Sequence, residues 1–221
     1  MSARRSKAAK SGDQRSGQRY TLLLRAGKLM TGAGEFLCLV RDVSDRGLKV
    51  RLFHPLEIEP TCTIELSNGE QLALECVWQQ GGQAGFRFAQ APIDVHRLID
   101  ESGPFPKRHL RLRLQPPMPL LVMVEGLSEV GLLCDISQHG GAVALERRLP
   151  LHAQVRIDAP QIPQLHARVR WRRGGLHGLV FQEGFRLDVL AELAWRLQIP
   201  GEGAASEPHS APKTVGALTT D

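Results

Sequence analysis

Between Gly47 and Phe53 apolar and charged residues alternate one by one, Leu48, Val50 and Leu52 against Lys49 and Arg51. A period of two belongs to a strand with one face buried, so this stretch is predicted to line a β core. Ahead of it, the apolar runs YTLLLRAGKLM from Tyr20 and FLCLVRDVS from Phe36 flank Thr31-Gly32-Ala33-Gly34, which reads as two strands around a turn. Behind it come CTIEL, the Ser67-Asn68-Gly69 turn, and a strand from Leu72 to Trp78 with Leu72, Leu74, Cys76 and Trp78 on one face. Gly81-Gly82 makes a hairpin turn and GFRF the strand that returns from it. APIDVHRLIDE reads as a short helix starting near Pro92 and packing through Ile93, Leu98 and Ile99. Six short strands and one helix predict a small antiparallel barrel closed by a helix.

The same pattern then recurs. Asp42 and Asp135, Ser44 and Ser137, Gly47 and Gly140, Trp78 and Trp171, Gly81 and Gly174, Gly82 and Gly175, Gly85 and Gly178, and Phe88 and Phe181 are all separated by 93 positions. A repeat at one fixed offset means two copies of one domain. Leu72, Leu74 and Cys76 become Leu165, Ala167 and Val169, so the inward face of that strand is kept, while its outward face changes from Ala73, Glu75 and Val77 to His166, Arg168 and Arg170. The predicted class is therefore all-β with C-terminal helices: two tandem six-stranded antiparallel β-barrels, each closed by a helix. A disordered basic tail is expected over 1–14, domain 1 over 15–101, a stiff proline-containing linker over 102–106, domain 2 over 107–199 and a disordered tail over 200–221. The second helix should run from Phe185 to about Leu197, with Leu187, Leu190, Ala191, Ala194 and Leu197 packing.

Charge changes this picture only locally. The net +5 divides into +5 over residues 1–19, −3 over 20–104, +5 over 105–200 and −2 over 201–221. A general nucleic-acid binder would more often carry a continuous basic face with interleaved aromatics, so nucleic acid is disfavoured as a partner. Cys38, Cys62, Cys76 and Cys134 lie in apolar surroundings without ligand spacing and are expected to be reduced core residues. His139 lies inside the second turn motif, where exposed turn polarity explains it. With no run of 18 or more apolar residues and no apolar leader, the expectation is a soluble, cytoplasmic protein with no membrane contact. No Walker loop, nucleophile elbow or paired metal ligands suggest an enzyme, a metal or a cofactor.

The candidate chemistry lies in Arg15-x-x-x-Arg19 followed by Asp42-x-Ser44-x-x-Gly47. Either piece alone is weak, the first a common accident of a basic tail and the second an ordinary turn. An arginine fork holds phosphate oxygens bidentately, and it matches the O6/N7 edge of guanine. A carboxylate accepts from the N1 and N2 hydrogens of guanine, and a glycine admits a tight turn or a close ligand. In this order and spacing the two pieces resemble the signature of the PilZ family, bacterial receptors for cyclic di-GMP. The resemblance implies that Arg15 and Arg19 wrap the ligand against the barrel while Asp42, Ser44 and Gly47 form the base pocket. It also implies a receptor whose arginine segment orders on binding and whose domains reorient, acting through a downstream protein partner on motility, pili or exopolysaccharide. Trp78, Trp171, Phe88 and Phe181 are expected to pack in the cores.

The second copy departs from this signature. Asp135, Ser137 and Gly140 are intact, but Arg15 maps to Arg108 and Arg19 to Leu112. A one-residue slip gives Lys107-x-x-x-Arg111, with a lysine where the first fork should be. A degenerate domain kept for packing or partner contact is the first reading, and a weak second site formed by Lys107, Arg108, Arg111, Asp135, Ser137 and Gly140 is the other. The rival functions are a ligand-independent interaction scaffold and a small β-barrel that binds nucleic acid.

Overall fold

The computed structural model describes residues 20–99 and 109–199. The expected tails and linker, together with Arg15, Arg19, Lys107 and Arg108, lie outside the described residues. Strands β1 (Tyr20–Thr31), β2 (Gly34–Val43), β3 (Gly47–Leu52), β4 (Thr61–Leu66), β5 (Gln71–Gln80) and β6 (Gln83–Phe88) close into an antiparallel barrel in the order β1-β2-β3-β6-β5-β4. After helix α1 (Val95–Ile99) come β7 (Leu112–Val124), β8 (Leu127–Ser137), β9 (Gly140–Ala144), β10 (Gln154–Ala159), β11 (Ile162–Arg173) and β12 (Leu176–Phe181), then helix α2 (Leu187–Gln198). The second set closes in the same relative order. The alternation is obeyed where it was clearest: Leu48, Val50 and Leu52 are buried in the first core and Arg51 is exposed.

The repeat extends to its irregularities. The β2–β3 register slips between Val40 and Asp42, and the β8–β9 register between Leu133 and Asp135. The β5–β6 slip between Cys76 and Trp78 returns in β11–β12 between Val169 and Trp171. Each extra residue turns the side chains that follow it, so the same bulge in both barrels aims the same residues outward.

The helices differ from expectation. Among the described residues the first barrel is followed by a helix over Val95–Ile99, which begins where Asp94 accepts the His96 N–H at 3.0 Å, three residues after Ala91. Val95 and Leu98 of that helix are buried. Among the described residues α2 is the one substantial helix, and it does not serve its own barrel alone. Leu190, Ala191, Leu193 and Ala194 enter the second core, while Trp195 and Ile199 pack on the first. The Trp195 ring lies 5.8 Å from Phe36 and stacks on His54 at 5.4 Å. Leu37, on the outer side of β2, belongs to the second barrel's apolar cluster. Polar groups pin this contact. Lys28 Nζ lies 3.1 Å from Glu35 and 3.0 Å from Glu65, and it donates to the Arg111 carbonyl at 2.9 Å. Glu35 also accepts the Arg113 N–H at 2.8 Å and donates its own N–H to Gln198 Oε1 at 2.8 Å.

Two core assignments are corrected. Cys38 and Cys62 are buried thiols, but Cys76 and Cys134 are only partly buried. Trp78 and Trp171 are 43% and 39% exposed, because the bulge before each swings it off the inward face, whereas Phe88 and Phe181 are core residues.

Candidate functional site

The Asp42-x-Ser44-x-x-Gly47 turn joins β2 to β3 and forms one side of an open groove of about 740 Å³. The turn holds itself: Ser44 N–H donates to the Gly47 carbonyl at 2.8 Å, Ser44 Oγ to the same oxygen at 3.3 Å, and Arg46 N–H to Ser44 Oγ at 3.4 Å. Such self-bonding is what a serine does in a turn, so Ser44 shapes the groove before any ligand arrives. Gly47 is explained by its neighbour β6, since a Cβ there would lie 2.0 Å from the Phe86 carbonyl oxygen. Asp42 differs from both. Its carboxylate takes no part in the turn and has a loose cation partner, Lys49 Nζ at 3.8 Å, with 30% of the side chain exposed.

The opposite side is built by β5 and β6. A Cβ on Gly85 would lie 2.1 Å from Trp78 Nε1, so the glycine is the seat on which the indole rests with its other face toward the groove. Arg87 borders the groove as well, held by Glu75 at 3.5 Å, and Arg46 stands over it with a largely exposed side chain. Three cations, one open carboxylate and one aromatic face therefore converge. That combination suits an anion bearing a flat base with adjacent N–H donors. Of the residues that the sequence singled out, Asp42, Ser44 and Gly47 line this groove; Arg46, Lys49, Trp78 and Arg87 line it too and were not among the expected site residues. The retained pairs Trp78/Gly85 and Trp171/Gly178 were the available signal, because a tryptophan repeated with a glycine seven residues on marks a ring lying on backbone.

The second barrel brings Arg111 and Asp135 together at 2.8 Å, a closed ion pair where Asp42 is open. Ser137 Oγ donates to the Gly140 carbonyl at 2.9 Å, and a Cβ on Gly140 would lie 2.2 Å from the Leu179 carbonyl oxygen, so the turn is the same. His139, at the position of Arg46, packs against His109 with ring centroids 4.1 Å apart and the planes tilted by 40°. Burial, His139 and Arg111, in that order, hold the His109 imidazole below its ordinary pKa. Among the described residues no group of three His, Cys, Asp or Glu is placed to hold a metal ion, and no helix is long and apolar enough to cross a membrane.

Comparison with curated proteins finds no match. Among solved structures, the chain is similar to Borreliella burgdorferi PlzA in complex with c-di-GMP, at 12% identity and TM-score 0.34 over 81% of this chain and 94% of that one. It is also similar to Bacillus subtilis inhibitor of motility (MotI/DgrA), at 14% and 0.32 over 79% and 95%. A third is Escherichia coli YcgR in complex with c-di-GMP, at 14% and 0.28 over 79% and 81%. With identities under 25% and TM-scores under 0.5, these likenesses assign no ligand and no partner to this chain. The family model is more specific, because it falls on the groove: residues 13–102, the stretch that holds the first barrel, match the PilZ domain.

Proposed function

We propose that the first barrel binds cyclic di-GMP in the groove beside Asp42 and that the chain is a receptor that passes this signal to another protein. The observation that supports the reading best is the open Asp42 carboxylate, set among Arg46, Lys49 and Arg87 and facing Trp78. A guanine offers Asp42 two adjacent N–H donors, the indole face takes the flat base, and the cations meet the phosphates. Arg15 and Arg19, which the family signature places on the ligand, add two bidentate phosphate contacts. Gly47 and Ser44 keep the turn in shape.

Signalling then follows from docking the arginine segment against the groove and changing the angle between the barrels. Any such change must strain or part Lys28 from the Arg111 carbonyl and Gln198 from Glu35, which span the two barrels. The second barrel, with Asp135 closed by Arg111, serves packing and partner contact, and the regulated output is motility, pilus assembly or exopolysaccharide secretion.

The test is base selectivity. Asp42→Ala should weaken cyclic di-GMP by about 1–3 kcal/mol, the usual worth of a charge-assisted contact at a recognition site, and narrow the preference over cyclic di-AMP. A folded Asp42→Ala protein with wild-type affinity and selectivity would remove Asp42 from the pocket.

A further inference from the structure

The second barrel repeats the floor of the groove but not its charges. Trp171 rests on Gly178, where a Cβ would lie 2.0 Å from the indole, and its exposed face looks outward as that of Trp78 does. The wall beside it is different. Val77, Glu75 and Ala73 of β5 have become Arg170, Arg168 and His166 of β11, all three exposed. In the first barrel Glu75 holds Arg87 at 3.5 Å. Both members of that pair are lost in the second, where Arg168 stands in place of the acid and Val180 in place of the base.

The row continues across the sheet. Arg156 of β10 is the register partner of His166, and Asp158 pairs with it at 3.3 Å. Among the described residues, Arg168, Arg170 and Arg173 have no carboxylate within ion-pair distance. Like charges crowded on one strand face repel, so this face costs stability, and among the described residues the Arg156–Asp158 pair alone offsets part of it. The base-reading carboxylate is also disabled, with Asp135 held by Arg111 at 2.8 Å and Ala142 standing where the first barrel has Lys49. What remains is arginine for phosphate and an aromatic face for a base, without a group to choose among bases.

From this we propose that the outer face of β10 and β11 binds single-stranded nucleic acid. Arg168 and Arg170 take successive phosphates, Arg156 and Arg173 extend the track, and one unpaired base stacks on Trp171. Stacking on an indole requires a base freed from a duplex, and it tolerates any base because each has a π face. The acidic balance of the first domain, which argues against nucleic acid when the whole chain is considered, does not touch this face. The site is independent of the ligand assigned to the first barrel.

The test uses the full chain and a fluorescent mixed-sequence single strand of about twelve nucleotides, followed by anisotropy between roughly 50 and 200 mM salt. Binding should fall steeply with salt. Arg168→Ala with Arg170→Ala should weaken it at least about tenfold and lower the log-log salt slope by about 1.4, two single-strand phosphate contacts at about 0.7 each. Trp171→Ala should weaken it about tenfold with the slope unchanged, as loss of stacking does. Arg186→Ala, a surface arginine off this face, should change nothing. If the alanine pair does not fold, Arg168→Gln with Arg170→Gln removes the same charges at nearly the same volume. Absence of binding at the lowest salt overturns the assignment, as does tighter binding of duplex than of single strand. Polyglutamate binding as tightly as the oligonucleotide, with Trp171→Ala silent, makes the face an acidic-protein dock and overturns it too.

Discussion

Lys28→Met removes a buried cation at the contact between the barrels without opening a cavity. Lys28 is 5% exposed and holds Glu35, Glu65 and the Arg111 carbonyl at once. Breaking a fully buried ion pair costs about 3–5 kcal/mol, because a charge is left without water or partner. Here the penalty is smaller. The two carboxylates keep 16% and 21% of their side-chain exposure, and each retains another donor, the Arg113 N–H at 2.8 Å for Glu35 and Gln71 Nε2 at 3.1 Å for Glu65. The expected loss is about 2–3 kcal/mol, which at a urea slope near 2–3 kcal/mol per molar lowers the midpoint by about 1 M. Urea titration followed by tryptophan fluorescence measures it, with Trp195 reporting on the contact itself through Phe36 and His54. Adding Glu35→Gln and Glu65→Gln to Lys28→Met should restore most of the loss, since neutral amides do not need the cation. A midpoint shift below about 0.2 M, or no recovery in the triple variant, would refute the claim that this cluster holds the barrels together.

Three further outcomes follow from the geometry. Gly85→Ala puts a Cβ where Trp78 rests, so the ring must move and cyclic di-GMP affinity should fall in a folded protein, while Gly178→Ala leaves that affinity unchanged; calorimetry on the pair decides it. Burial pushes the Cys62 thiol up to about 11 and raises Cys38 well above the usual thiol range, so iodoacetamide near pH 8 should modify Cys76 and Cys134 first, as peptide mass mapping would show. His109 is held below its ordinary pKa by burial, His139 and Arg111, so as pH falls through about 6.5 the unfolded chain takes this proton before the folded one does. Stability should therefore decline from neutral pH into mild acid, and His109→Gln should flatten that decline in pH-dependent melts.

The barrels were legible because their signals are local. Alternation through Leu48, Val50 and Leu52, glycine pairs at Gly81-Gly82 and Gly174-Gly175, and the constant 93-residue offset specify strands, turns and repetition without reference to distant contacts. Trp78 was misplaced because alternation ends at the bulge: Val77 and Trp78 are adjacent and both exposed, which a regular strand forbids. The contact between the barrels could not be read at all. Lys28 in a strand looks like an outward solvated charge, Leu37 looks like a core residue of its own barrel, and Trp195 lies outside the stripe Leu187, Leu190, Ala191, Ala194 and Leu197 by which α2 was expected to pack. In the groove, Asp42, Ser44 and Gly47 were singled out because they form a contiguous motif. Arg46, Lys49 and Arg87 were not, since an exposed cation on a strand or turn has no pattern until the fold brings three of them to one groove.

The central claim, a guanine-reading groove in the first barrel, is tested most directly by calorimetric titration of the full chain with cyclic di-GMP against GTP and cyclic di-AMP. The account predicts saturable binding of cyclic di-GMP alone, lost in Arg15→Ala with Arg19→Ala and kept in Arg111→Ala. A flat titration, equal binding of cyclic di-AMP, or loss of binding in Arg111→Ala with retention in the Arg15 and Arg19 variant would contradict it.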